Sequence, residues 1–152
     1  MKIDNIQDKI IEEFEQFSDK AHRFAYFRKL IQIGNDLDPI ASDELDQEHE
    51  VKASKSNIWI KASLKDDKVY FTADSDNAIS KGLVGILLRV FSGNSPRDII
   101  NTNLYFLSEI NMYERLNQDW INDLLAIIQK IKLLTAKLQV LEIRRDNLAS
   151  AV

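Results

Sequence analysis

The sequence predicts an α+β domain, a small antiparallel or mixed sheet of about three strands packed against helices. Two observations carry this expectation. Apolar residues recur at three- and four-residue steps over most of the chain, and in one central stretch they alternate at two-residue steps. A third bounds its size: 152 residues with 45% hydrophobic side chains suit one compact domain, since a chain of this length buries roughly 70% of its unfolded surface.

Ile3, Ile6, Ile10, Phe14 and Phe17 share one helical face and define the first helix. Phe24, Phe27, Leu30, Ile31 and Ile33 repeat the pattern, and Gly34 follows where a left-handed stop residue is expected. Asp36 to Glu50 holds seven acidic residues and no lysine or arginine, with Pro39 inside, and reads as an exposed loop. Ile58, Ile60, Ala62 and Leu64 then alternate with Trp59, Lys61 and Ser63, giving a strand from Asn57 to Leu64. After the polar turn Lys65-Asp66-Asp67-Lys68, Val69, Phe71 and Ala73 alternate with Tyr70 and Thr72, so the two strands form a hairpin.

Asp74-Ser75-Asp76-Asn77 offers side-chain acceptors to the free amides of a helix whose apolar run extends from Ile79 to Phe91 and stops at Gly93. Asp74 and Asp76 have the spacing that opens a calcium loop, but Ala78 and Ile79 follow where an acid and a glycine are needed, so capping is the better reading. Ser95-Pro96-Arg97-Asp98 joins a cap residue, a first-turn proline and an acid three residues after the cap, the start of a short helix. Leu104, Phe106, Leu107 and Ile110 keep helical spacing. A long last helix, from about Asp119 to Asp146, carries Leu124, Ile127, Ile128, Ile131, Leu134, Leu138 and Leu141.

Charge and composition exclude several functions. A net charge of -4 gives no field that draws phosphate backbones or anionic membranes, so nucleic acid is not an expected partner. Met1-Lys2-Ile3-Asp4 runs into Asp8, Glu12, Glu13 and Glu15 without the apolar stretch of a signal peptide, and a cytoplasmic protein is expected. The longest apolar run, Leu83 to Leu88, is far short of the roughly 20 residues of a membrane span. Cysteine is absent, which removes disulfides, thiolate metal sites and thiol catalysis. With only His22 and His49, any metal would depend on carboxylates, and no metal or cofactor is expected.

Four motifs bring a family resemblance. Val51-Lys52-Ala53-Ser54-Lys55-Ser56-Asn57-Ile58-Trp59 resembles the signature V-x-G-C-Q-S-x-V-W of the SufE family, with Ala53 and Ser54 in place of glycine and cysteine. Asp74-Ser75-Asp76-Asn77-Ala78-Ile79-Ser80-Lys81-Gly82-Leu83 is similar to the family's D-S-D-x-x-I-x-x-G-L, and Ser92-Gly93-Asn94-Ser95-Pro96 to its S-G-x-T-P turn. Leu30-Ile31-Gln32-Ile33-Gly34 resembles L-I-x-L-G upstream. At the last helix the family reads R-S-N-G-L, where this chain has Trp120-Ile121-Asn122-Asp123-Leu124. The likeness spans about Ile10 to Lys132, so residues 1–132 are read as the family domain and 133–152 as an extension of its last helix.

The resemblance implies a SufE/IscU-like fold and a part in iron-sulfur cluster assembly. In that family a cysteine takes a persulfide sulfur from a SufS-like cysteine desulfurase and passes it to an Fe-S scaffold complex, and pyridoxal phosphate belongs to the desulfurase. Ser54 stands at the cysteine's position and can neither ionise near pH 8.5 nor hold sulfane sulfur as a thiol does. A serine nucleophile needs an oriented base, and His49, five residues upstream in the acidic loop, reads as a solvated histidine. A deliberate cysteine-to-serine exchange would alter one position, whereas Ala53, Lys55, Trp120 and Asp123 also depart from the pattern, which favours natural divergence.

The expected partner-facing residues are Ala53, Lys55, Ser56, Trp59, Asp74, Trp120 and Asn122, with Ser54 marking the lost catalytic position. Trp59, on the strand face opposite Ile58 and Ile60, packs under a helix or forms part of a partner surface. The leading expectation is a non-catalytic partner or regulator of a cysteine desulfurase. The alternatives are a sulfur acceptor in cysteine-free form, and an interaction module that reuses the fold. The apolar side of the extension calls for cover from its own domain, from a homodimer through the C-terminal helix, or from another protein.

Overall fold

The computed structural model describes residues 2–17, 19–52 and 56–150. Helix α1 spans Lys2–Phe14 and closes in a 3-10 turn, Glu15–Phe17, and α2 spans Arg23–Asn35. Three antiparallel strands follow, β1 Glu50–Val51, β2 Ile58–Lys65 and β3 Lys68–Ser75, in the order β1-β2-β3. Helices α3 Ala78–Phe91, α4 Pro96–Ile100, α5 Phe106–Glu109, α6 Met112–Arg115 and α7 Gln118–Ser150 complete the chain. This is the α+β architecture read from the sequence.

The hairpin forms because alternation gives one face to the core: Ile58, Ile60, Val69, Phe71 and Ala73 are buried. Its turn places Asp66 and Asp67 at φ 52° and 63°, the two left-handed residues of a type I′ turn, whose twist matches that of the strands. Asn77 caps α3, its side chain accepting hydrogen bonds from the Ile79 and Ser80 amides at 2.9 and 3.2 Å. Ser95 caps α4 through the Asp98 amide at 3.1 Å. The chain leaves α3 through Gly93 at φ 82°. Helix α3 packs against α1, α2, β3 and α7, which is why its sequence is apolar nearly all round.

Two expectations are corrected. Gly34 is not a left-handed stop; it lies inside α2, which continues to Asn35. Its value is its missing side chain: a Cβ on Gly34 would sit 2.7 Å from the Gly82 amide nitrogen, and one on Gly82 would sit 2.4 Å from the Leu30 carbonyl oxygen. Two glycines thus let α2 and α3 touch backbone to backbone. The acidic segment is also more ordered than a solvated loop, with Pro39 bridged to Ala73, Ile40 buried, a 3-10 turn at Ser42–Glu44 and Glu50 in β1. Apolar Ile40 and the Asp38 carbonyl, which accepts from the Ala73 amide at 3.2 Å, tie it to the sheet.

Helix α7 is 33 residues long, about 50 Å at 1.5 Å per residue. Asp123, Leu124, Ile127, Ile131 and Thr135 are its buried positions, and it packs on β1, β2, α3 and α4. No helix among the described residues is long and apolar enough to cross a membrane.

Candidate functional site

The six-residue connection between β1 and β2, residues 52–57, is the segment on which the motif reading converges. Its ends are closed by the antiparallel pair Val51 and Ile58, both buried. Residues paired across such a ladder stand about 4.5–5.5 Å apart, so the two stems are fixed relative to each other. Ala53, Ser54 and Lys55 lie outside the described residues.

The exit of this connection is held by the start of α3. Ser56 and Ser80 share a hydroxyl hydrogen bond of 2.5 Å, with Ser80 fully buried. Asp76 accepts from the Asn57 backbone amide at 3.0 Å and from its side-chain amide at 2.8 Å. In return the Asn57 carbonyl accepts from the Ser75 hydroxyl at 2.8 Å and the Asp76 amide at 3.2 Å. Asp74 accepts from the Ser75 amide at 2.8 Å and lies 3.6 Å from the Lys81 ammonium. The D-S-D segment therefore divides its work: Asn77 caps the helix, while Ser75 and Asp76 clamp the neighbouring loop.

Two contacts fix where α7 stands along the sheet. Arg145 meets Asp67 of the hairpin turn at 2.9 Å, and Lys130 donates to the Glu48 carbonyl at 3.2 Å. Fifteen residues of helix between them correspond to roughly 22 Å, about the length of β2. The next seven to ten residues toward the amino terminus carry α7 about 10–15 Å further. Trp120, Asn122 and Asp123 lie on that stretch, in the first turns of α7.

There Trp120 is half-buried and packed on the core, and its backbone amide donates to the Asn117 side chain at 3.0 Å. Asn122 is exposed and accepts from Gln118 at 2.9 Å, an i, i+4 contact along the helix. Asp123 is fully buried. Trp59 is half-buried on the outer face of β2, opposite Glu50 and Asp74, and not among the inward residues. Ser56, Trp59 and Asp74 stand where β2 begins and β3 ends, and Trp120, Asn122 and Asp123 lie in the first turns of α7. Pattern reading missed Ser80, Asn57 and Asp76 as the clamp; the serine inside the apolar α3 run was the signal available.

The described residues supply little chemistry of their own. His49 Nδ1 lies 2.7 Å from Asp46, three residues back in the same segment, and that hydrogen bond holds the Asp46 carboxyl below its ordinary range. The pair braces the loop locally. No group of three or more histidine, aspartate or glutamate side chains among the described residues could hold a metal ion.

A three-stranded sheet packed against helices, with the exit of the 52–57 connection tied to the start of α3, defines the class: an α+β domain. Comparison with known proteins then identifies it. The model of the SufE family, the Fe-S metabolism associated domain, matches residues 8–135, and the chain belongs to that family. It is 27% identical over 124 residues to an uncharacterized SufE-like protein of Synechocystis, covering 82% of this chain and 76% of the relative. The solution structure of a hypothetical protein from Thermus thermophilus has the same fold, with a TM-score of 0.71 at 16% identity over 89% of this chain and 96% of that one.

Proposed function

We propose that this protein is a cytoplasmic, non-catalytic partner of a cysteine desulfurase, one that occupies or regulates the desulfurase without accepting its sulfur. The observation that carries the reading is a preserved framework around a missing nucleophile. Ser54 stands where the family motif has cysteine, and no cysteine occurs anywhere in the 152 residues. Yet the loop's stems are paired and its exit is clamped by Ser75, Asp76 and Ser80.

Persulfide acceptance needs a thiolate that attacks sulfur and then holds a sulfur-sulfur bond. A serine hydroxyl does neither step. Docking needs only a shaped, rigid surface, and binding energy is not lost with the reactive atom. Glycine and arginine of the family's R-S-N-G-L are the fully buried Asp123 and the half-buried Trp120 here, so the start of α7 departs from the family pattern as well as the loop. Such changes suit a protein released from sulfur chemistry but still shaped to a partner.

A competition assay tests this. Sulfur transfer from the desulfurase to a cysteine-bearing SufE protein is followed while this protein is added in increasing amounts. The reading expects transfer to fall in a saturable way, with no sulfur recovered on this chain. Transfer unaffected at high excess would reject it.

A further inference from the structure

A cleft of about 530 Å³ opens between α1, α2, α3 and β3, a size within the roughly 300–1,000 Å³ of small-molecule sites. None of its lining residues belongs to the 52–57 connection or to the clamp on it, so it stands apart from the desulfurase reading. One face of α2 brings Lys29 and Asp36 to it, seven residues and about 10 Å apart along the helix. Helix α3 brings Leu88, Arg89 and its C-cap Ser92.

The two ends of the cleft differ in charge. At one end the Glu13 carboxylate is shared by Arg89, which meets both of its oxygens, and by Lys29 at 3.1 Å. Two cations against one acid leave a unit of positive charge there, and the Lys29, Glu13 and Arg89 side chains are only 26%, 27% and 31% exposed, so solvent screens it less than at an open surface. At the other end Asp36 and Asp38 carry exposed carboxylates that enter no ion pair or hydrogen bond among the described residues. A backbone acceptor joins them. The ladder turns the backbone groups of Val69, Phe71 and Ala73 away from β2, and the Asn94 and Asp38 carbonyls accept from the Val69 and Ala73 amides. Between these, the Phe71 amide donates to the Ser92 hydroxyl at 3.2 Å, and the Phe71 carbonyl accepts from no described residue. Ile33, which lies between Lys29 and Asp36 on α2, gives the cleft an apolar wall together with Leu37 and Leu88.

A ligand with charge of one sign would suit one end and be repelled by the other, and an uncharged ligand would leave both ends unmatched. We infer that this cleft binds a small zwitterion of the amino acid class, with its carboxylate toward Lys29 and Arg89, its ammonium toward Asp36, Asp38 and the Phe71 carbonyl, and its carbon chain on Ile33, Leu37 and Leu88. The opposed ends set its orientation. The apolar wall supplies burial.

The probe is ε-aminocaproate, as long as an extended dipeptide at about 7 Å, and its controls are caproate and hexylamine, each of which lacks one of its two charges. In NMR titrations of the isotope-labelled full chain, ε-aminocaproate should shift the amides of Ile33, Leu37 and Leu88 saturably at millimolar concentration, at least tenfold more tightly than either control. The double variant D36N/D38N, at two exposed positions, should erase its advantage over caproate. Lys29→Gln, which leaves Glu13 balanced by Arg89 alone, should erase its advantage over hexylamine. Cooperative thermal melts will show that the variants fold. Either control binding as tightly as the zwitterion, no saturable shift with any of the three, or an advantage that survives its variant would overturn the inference.

Discussion

Gly82→Ala should destabilise this protein through a single methyl group. A Cβ at Gly82 would lie 2.4 Å from the Leu30 carbonyl oxygen and 2.8 Å from its carbon, while ordinary van der Waals contact begins at 3.4 Å. The obstacle is α2 backbone, which cannot swing aside as a side-chain tip can, so α2 and α3 must part by about 1 Å along their contact. Overpacking of this kind costs about 1–3 kcal/mol, and a backbone clash belongs at the upper end. Alanine's better helix propensity returns about 1 kcal/mol. The net loss is then roughly 2 kcal/mol, or about 4–8 °C in Tm for a chain of this length. Differential scanning calorimetry reads it directly. Gly85→Ala is the internal control: its Cβ would be 3.1 Å from the Ile33 carbonyl oxygen, so its loss should be smaller. A Gly82→Ala protein with unchanged or raised Tm would refute the close α2–α3 contact.

Asn77→Ala removes the acceptor of the Ile79 and Ser80 amides and should cost about 1 kcal/mol, read as a Tm lower by about 2–4 °C. Tyr26→Phe strips the buried hydroxyl that donates to the Ile110 carbonyl at 2.9 Å; leaving that oxygen unpaired should cost about 1–3 kcal/mol in urea titrations. The Glu13 carboxyl, hydrogen-bonded first by Arg89 and then by Lys29, is held below the ordinary glutamate value of 4.5. A depressed folded value means its contribution is present above pH 4.5 and lost as pH falls through the folded value. Urea midpoints measured from about pH 6 to about pH 3 should therefore fall less steeply for Glu13→Gln than for the wild type.

Local pattern made most of the elements legible. The hairpin follows from alternation between Ile58 and Ala73, and α3 and α4 from their caps at Asn77 and Ser95, because these signals act within a few residues. What stayed hidden depends on distant neighbours. Gly34 carries the same letter whether it ends a helix or admits another, and only Gly82, far along the chain, decides between them. The two-residue β1 is too short to show alternation and exists because Val51 meets Ile58. In the same way the D-S-D segment reads as a cap, and its clamp on Asn57 appears only when the hairpin brings Asn57 back to it. The family resemblance quoted Ser56 and Trp59 but could not show that Ser56 bonds Ser80 or that Trp59 lies on the outer face of β2.

The central claim is that the docking scaffold outlived the nucleophile. Calorimetric titration of this protein into the cysteine desulfurase of its own source tests it without needing any sulfur chemistry. The account predicts saturable binding, with the bound chain leaving the titration free of sulfane sulfur when cysteine is supplied. Absence of binding heat at several temperatures, with a second method also finding no complex, would mean that the fold has been retained and its partnership with the desulfurase has not.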